Sequence, residues 1–169
     1  IIATKNDVFN PEMFTMMDYR LKDGEQTTFT YVLPFSTKKA LVEFTYFTEP
    51  IVDDKTYDTY LEHYLSKFLK IEKYEVLEVE TGNIPMTDFP FQKDSSKHIT
   101  KIGTAGGWVK GSTGYSFKHT EKKVTKIIEN LKSNTIASKD LYNKKYQFYD
   151  AIFLKVLKDE NDKGDWVFR

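Results

Sequence analysis

The chain has 169 residues, enough for one domain with its own core or for a core with an appendage. Its 25 basic and 25 acidic side chains balance, so no overall field favours nucleic acid or anionic lipid. The absence of cysteine excludes disulfides, thiolate catalysis and the usual structural zinc sites. No apolar run approaches the roughly 20 residues that span a bilayer, and no signal peptide is visible.

The first half of the chain is dominated by segments rich in β-branched and aromatic residues. Met16–Arg20, Phe29–Phe35 and Lys39–Phe47 are predicted as strands. The last two are separated by Ser36–Lys38, which is typical of a hairpin loop. Pro34 has no backbone N–H, so it is expected at a strand end or a bulge.

A helix is predicted over about residues 53–69, opened by Asp53 and Asp54. Its apolar residues recur at helical spacing and define one inward face: Tyr57, Tyr60, Leu61, Tyr64, Leu65 and Phe68. The segment Tyr74–Glu80 alternates apolar residues with glutamate, which predicts a half-buried strand. Together these elements predict the α+β class, an antiparallel sheet with flanking helices.

The second half is predicted to contain a short strand, two glycine turns and two helices. The strand (Ile99, Thr100, Ile102) ends at Gly103–Gly107, and a second turn follows at Gly111–Gly114. One helix is predicted from there to about Leu131, and a last helix over about Asp140–Leu157. Their inward residues are expected to be Val124, Ile127, Ile128 and Leu131 in the first, and Leu141, Phe148, Ile152, Phe153 and Val156 in the last.

A strand, a glycine turn and a helix in this order can present backbone N–H groups and a positive helix end to an anionic ligand. The glycines between Gly103 and Gly114 would also let a planar ligand approach the main chain closely. A tight structural crossover explains the same pattern about equally well. The GxGxxG motif of a complete dinucleotide site is absent from the sequence.

Glu43 is a candidate general acid. It is expected on the same strand face as Leu41 and Thr45, flanked by aromatic residues. A carboxyl group in apolar surroundings retains its proton and can donate it near neutral pH. The commoner alternative is a glutamate on the outward face of a strand.

Other polar and aromatic residues point less directly to chemistry. Asp18 and Arg20, two apart on a strand, are predicted to form a surface or interdomain pair. His63, His98 and His119 lack the spacing of metal ligands, so no metal site is assigned. Aromatic residues stabilise cations but more often fill cores; those considered are Tyr31, Phe35, Phe44, Tyr46, Phe47, Trp108 and Tyr115.

Six segments in order resemble motifs of the lycopene cyclases, flavin-dependent enzymes that cyclise carotenoids. They are Met17–Arg20, Tyr31–Ser36 with Leu41–Thr45, Ile84–Met86, Gly103–Gly107 and Ser112–Tyr115, within a match from about Val8 to Leu157. Two departures stand out. Phe44 replaces the second acid found in many members after the key glutamate, and Gly111 replaces the proline that plant members have before Ser-Thr-Gly-Tyr.

The resemblance implies that Glu43 protonates the terminal double bond of an acyclic carotene such as lycopene, giving a cation that closes to a β-ionone ring. It implies a reduced FAD cofactor, with NAD(P)H as the reductant and no net redox change. It also implies that this flavin contacts one set of residues here: Gly103, Thr104, Ala105, Gly106, Gly107, Thr113, Gly114 and Tyr115. A membrane-dissolved substrate implies a cytoplasmic enzyme bound peripherally to a membrane.

We expect the chain to be the C-terminal part of such a two-domain flavoprotein, without the nucleotide-binding strand and inactive on its own. Residues 1–97 would form the substrate-binding sheet region, residues 98–131 the flavin-contacting segment and residues 132–169 a helical tail. A related FAD-dependent hydroxylase or prenyl reductase, which performs net redox chemistry, is the first alternative. A non-catalytic binding module is the second.

Overall fold

A computed structural model describes residues 1–168 and confirms the α+β class, with an antiparallel five-stranded sheet and four α-helices in that range. The strand order is β2-β3-β4-β1-β5. The strands are β1 Ile2–Ala3, β2 Thr15–Asp18, β3 Thr27–Ser36, β4 Lys39–Phe47 and β5 Glu75–Val76. The helices are α1 Asp54–Lys67, α2 Phe117–Lys132, α3 Lys144–Asp159 and α4 Gly164–Phe168.

The chain divides into two compact units. The first, which we call the sheet unit, comprises residues 1–82 and the segment from Leu157 onward, and the second, the turn unit, comprises Asn83–Val156. The units describe packing and do not test the functional regions expected at residues 1–97, 98–131 and 132–169, which stay predictions.

The predicted hairpin forms the centre of the sheet unit. Strands β3 and β4 pair antiparallel from Thr27↔Phe47 to Ser36↔Lys39, and the register shifts next to Pro34. A proline at this irregularity removes no regular ladder bond, as expected. The hairpin therefore fixes which residues of the two strands share a face.

Helix α1 covers one face of the sheet. Its N-cap is Asp53, whose side chain accepts a hydrogen bond from the Thr56 backbone N–H. Tyr60 stacks on Phe44 of β4, and Tyr64 and Leu65 are buried against the sheet. The helical periodicity thus identified the helix and its inward face correctly.

The opposite face of the sheet is covered at one end by the last segment of the chain. Phe29 of β3 contacts Tyr19, Tyr31 and Phe47 edge to face. Asn161 fixes the last segment there, because its side-chain Nδ2 donates to the carbonyl oxygen of Phe47 and its side-chain Oδ1 accepts from the Thr27 N–H. Toward the hairpin turn this face is open.

The segment Tyr74–Glu80 was predicted as a half-buried strand, and this prediction was wrong. Strand β5 contains two residues, and residues 75–80 are exposed. β5 pairs with β1, itself a two-residue strand. Alternation alone did not provide the partner and the covering layer that a longer strand needs.

The turn unit differs from its prediction in two ways. No strand forms at Ile99–Ile102, where Ile99 and Ile102 are more than 60% exposed. The helices form as expected, but much of their predicted inward face is exposed within the described chain. The exposed members are Val124, Ile128 and Leu131 of α2, and Phe148, Ile152 and Val156 of α3. Helical periodicity in the sequence identifies an apolar stripe on a helix, but it does not identify the element that packs against that stripe. Across residues 1–168, no helix has the length and apolar character to cross a bilayer.

Candidate functional site

Glu43 lies on the sheet face opposite α1. Its neighbours Val42 and Phe44 pack with the helix-side core, so strand alternation directs Glu43 to the other face. The side chain is exposed, and its Oε1 accepts a hydrogen bond of 3.0 Å from Thr45 Oγ1. The expected face is correct, but the apolar enclosure is not observed among the described residues, where Glu43 has the exposure of the outward-facing alternative.

A three-strand row crosses this face. Tyr31 of β3 is the direct cross-strand partner of Glu43. On the other side of Tyr31, β2 contains a bulge, because Thr15 pairs with Val32 while Asp18 pairs with Thr30. Met16 and Met17 are therefore both opposite Tyr31, and Met17 has the left-handed backbone angle φ = 54°. We call the side chains of Met16, Met17, Tyr31 and Glu43 the acid row.

A hollow of about 450 Å³ adjoins the methionine end of the acid row. It is lined by Met16, Met17, Asp18, Tyr19, Arg20 and Phe168. This volume falls in the usual range of small-molecule sites. Its lining combines the apolar side chains of the two methionines and Phe168 with the charged pair Asp18 and Arg20.

Asp18 and Arg20 form an ion pair in which the carboxylate is buried and the guanidinium is exposed, so they are not a simple surface pair. The Asp18 side chain is 7% exposed and that of Arg20 is 63% exposed. The Arg20 guanidinium is 2.5 Å from Asp18 Oδ2 and lies 4.8 Å from the centre of the Phe68 ring. Tyr64 of α1 donates its hydroxyl to Asp18 Oδ2 at 2.6 Å. Sequence reasoning missed Tyr64 because it appeared there only as part of a helical apolar stripe.

The hydrogen bonds among Asp18, Arg20 and Tyr64 shift the pKa values of Asp18 and Tyr64. Burial raises the pKa of Asp18, but the hydrogen bonds from Arg20 and Tyr64 outweigh it and hold that pKa below its ordinary value. Burial and the bond to Asp18 raise the pKa of Tyr64 to about 12. Asp18 is thus held as a carboxylate that ties the edge strand β2 to helix α1.

In the turn unit, the glycine turn Gly103–Gly107 is crowded by its own chain. Residues 103–106 form a 3₁₀ turn, and the N–H groups of Gly106, Gly107 and Trp108 donate to carbonyls of residues 102–104. A Cβ on Gly106 would collide with the carbonyl of Lys101, and one on Gly107 would lie 2.5 Å from the Phe91 ring. A side chain at Gly106 or Gly107 would therefore collide with the protein itself, and the predicted flavin contact of these two residues stays a prediction.

The start of the glycine turn, residues 103–105, is more open. Thr104 and Ala105 are exposed, and a Cβ on Gly103 would contact nothing within 4 Å. Gly114 lies beside two residues of another motif, with an added Cβ 3.5 Å from Ile84 and 3.8 Å from Met86. Residues 103–105 are consequently the part of the segment whose surroundings fit a close approach by a planar ligand such as a flavin.

The helix α2 does not follow the glycines directly. It begins at Phe117, and its N-cap residue Ser116 makes no side-chain capping bond. Tyr115 is exposed, and Thr113 is half-buried. The predicted order of elements was strand, glycine turn and helix, whereas the structure has two successive turns followed by a helix.

A lysine beside the glycine turn was missed from the sequence. Lys123 of α2 donates to the carbonyl oxygen of Gly107 at 3.2 Å and lies 4.4 Å from the centre of the Tyr142 ring. Burial lowers its pKa to about 8. Tyr142 in turn donates to the carbonyl of Gly106. The contacts that bury Lys123 come from Gly107 and Tyr142, which the local sequence around Lys123 does not reveal.

These features define an α+β protein that carries a glutamate on an open, aromatic sheet face. In residues 1–168, no group of three or more His, Cys, Asp or Glu side chains could hold a metal ion. A family model described as "Lycopene cyclase protein" matches residues 1–158. The chain therefore belongs to the lycopene cyclase family. That membership supports a carotenoid cyclase role, in an isomerase-type enzyme family, at the level of the family. Neither a curated protein nor a solved structure matches the chain.

Proposed function

We propose that this protein cyclises the end groups of acyclic carotenes, with Glu43 as the proton donor and with reduced FAD as the cofactor. The observation that carries the proposal is the placement of Glu43 on the open sheet face, directly across from Tyr31. Family membership supplies the substrate class. The hollow beside the acid row offers the apolar side chains of Met16, Met17 and Phe168 to part of a hydrocarbon chain.

The proposed reaction is an isomerisation. The Glu43 carboxyl donates its proton to the terminal carbon–carbon double bond, leaving a tertiary carbocation. A second double bond of the end group attacks that carbon and closes a six-membered ring, and loss of the neighbouring proton forms the ring double bond. One proton is gained and one is lost, so no oxidant or reductant is consumed.

Glu43 is exposed in the described chain, so the proposal requires that substrate binding removes water from it. A hydrocarbon placed over the acid row would displace that water. Removal of water favours the neutral, protonated carboxyl, which is the form that can donate. The hydroxyl of Thr45, 3.0 Å from Oε1, would keep the carboxyl oriented toward the face.

The residues proposed to contact the flavin are the open part of the glycine segment, Gly103, Thr104 and Ala105, with Thr113, Gly114 and Tyr115 nearby in sequence. When bound, reduced FAD would supply negative charge that stabilises a carbocation. Gly106 and Gly107 are proposed to shape the turn, because their positions are filled by the protein itself. A substrate dissolved in a membrane makes peripheral membrane association part of the proposal.

The test of the acid is Glu43→Gln in the natural full-length protein, produced in a bacterial host that accumulates lycopene. Glutamine keeps the size and hydrogen bonding but has no proton to donate, so we expect cyclic products to fall at least about 100-fold. The matched control is Glu75→Gln, another exposed strand glutamate of the same sheet, which should leave the products unchanged. A hydroxylase or prenyl reductase would retain its NAD(P)H-dependent activity in Glu43→Gln.

The test of the cofactor site is Ala105→Trp, read by flavin titration of the same protein. Ala105 is exposed, so a large side chain there should block a planar ligand without disturbing the fold. We expect flavin affinity to fall about tenfold or more, whereas Lys93→Trp, at an exposed residue of the same unit, should have no effect. Unchanged flavin binding in Ala105→Trp would contradict the assignment.

A further inference from the structure

We propose that Tyr31 is a catalytic residue whose ring stabilises the carbocation produced by proton transfer from Glu43. This inference rests on the function proposed above and deepens it. It assigns a role to an aromatic residue that the sequence could not separate from ordinary core residues.

The register brings the ring and the acid together. Tyr31 and Glu43 are directly opposite in the antiparallel pair β3–β4, so their side chains share one face with Cβ atoms about 5 Å apart. A double bond protonated by Glu43 would therefore lie next to the Tyr31 side chain. The positive charge forms within a few bonds of that position.

The Tyr31 ring packs against a buried neighbour and is itself partly exposed. Phe29, which is 1% exposed, contacts Tyr31 edge to face with ring centres 5.2 Å apart. Tyr31 itself is half-buried. Phe29 and Phe47 share this face with Tyr31 but are buried there, so a substrate over the acid row cannot reach their rings. Tyr31 therefore combines proximity to Glu43, a rigid support and partial exposure.

The energetics favour such a contact in a dry site. A cation over an aromatic face gains about 2 kcal/mol or more when water is excluded, which corresponds to roughly 30-fold in rate. Met16 and Met17 lie on the other side of Tyr31 and lead to the hollow of about 450 Å³. A carotene end group over Tyr31 would thus have space for its chain beyond the methionines.

The experiment compares a series at one position in the natural full-length protein. Tyr31→Phe is followed by replacement of Tyr31 with mono-, di- and trifluorinated phenylalanine, which weaken the negative ring face while keeping its shape. We expect kcat for cyclisation to fall stepwise with each fluorine, by roughly 30-fold in total, while the melting temperature and KM stay nearly constant. Phe35→Leu, an exposed aromatic on the same strand about 13 Å from Tyr31, should leave kcat unchanged.

The outcomes separate this inference from the proposed function. If Glu43→Gln abolishes cyclisation and the fluorinated series is flat, the ring has a structural role and the assignment of Tyr31 is overturned. If Glu43→Gln retains full cyclisation, the proposed function fails and the role of Tyr31 fails with it. A stepwise decrease together with loss of activity in Glu43→Gln supports both.

Discussion

The sheet unit and the turn unit are stabilised in different ways. The sheet unit contains a layered apolar core, built from α1 on one face and from aromatic contacts on the other. In Asn83–Val156, by contrast, Trp108 and Leu141 are the fully buried large apolar residues. There the close contacts are glycine packing, tight turns and polar pairs such as Lys110 with Asp150.

Substitutions should therefore destabilise the two units in different ways. An apolar core tolerates many conservative changes, because its stability is spread over many contacts. A unit held by glycine turns depends on a few backbone positions that admit no side chain. We therefore expect the turn unit to open locally before the sheet unit does.

The largest expected effect is that of Gly107→Ala. Gly107 has φ = 62°, and an added Cβ would lie 2.5 Å from the Phe91 ring, so both backbone strain and overpacking oppose the change. We expect the turn unit to lose about 2–4 kcal/mol of stability. The measurement is urea unfolding followed by the fluorescence of Trp108, in a background where Trp166 is replaced by phenylalanine.

Gly103→Ala is the matched control for that experiment. Gly103 has nearly the same φ, 59°, but open space at the Cβ position, so the control carries strain without collision. It should cost about 1–2 kcal/mol. Equal effects of the two substitutions would show that packing against Phe91 is unimportant and would weaken the contrast between the units.

A smaller effect concerns the alkaline pH dependence of the turn unit. Because the pKa of Lys123 is lowered to about 8 in the folded protein, the unfolded chain binds more protons between pH 8 and about 10. The stability of the turn unit should therefore rise with pH over that range, by up to about 1.4 kcal/mol per pH unit.

Lys123→Met should remove this rise, and Lys122→Met, at an exposed neighbouring residue, should retain it. The measurement is urea unfolding at a series of pH values, compared as slopes so that other titrating groups cancel. An identical slope in the wild type and in Lys123→Met would contradict the burial of the ammonium group.

The smallest expected effect is that of Tyr64→Phe in the sheet unit. This change removes the hydroxyl that donates to Asp18 and should cost about 1–2 kcal/mol at neutral pH. Since the folded pKa of Asp18 is lowered, its contribution is present above its ordinary value of 3.8 and is lost as the pH falls through the folded pKa.

The measured difference between wild type and Tyr64→Phe should accordingly shrink below about pH 4. Tyr57→Phe is the control, because Tyr57 also packs from α1 but its ring contacts Tyr46. A difference that stays constant down to low pH would show that the hydroxyl acts through packing and not through the Asp18 carboxylate.

The sequence by itself determined much of the sheet unit. The hairpin β3–β4, the helix α1 with its cap, the irregularity at Pro34 and the face that carries Glu43 all follow from local rules of alternation, periodicity and turn chemistry. These rules involve neighbours along the chain, so a single sequence contains them. The order of the motifs likewise identified the family.

Only the tertiary structure decided the surroundings of the candidate residues. The exposure of Glu43, the bond from Tyr64 to Asp18, the burial of Lys123 and the crowding of Gly106 and Gly107 each depend on residues distant in sequence. The predicted strand at Ile99–Ile102 failed for the same reason, because a strand requires a partner that no local pattern supplies. Local patterns specify elements and faces, whereas contacts between elements specify which polar groups are buried, paired or open to a ligand.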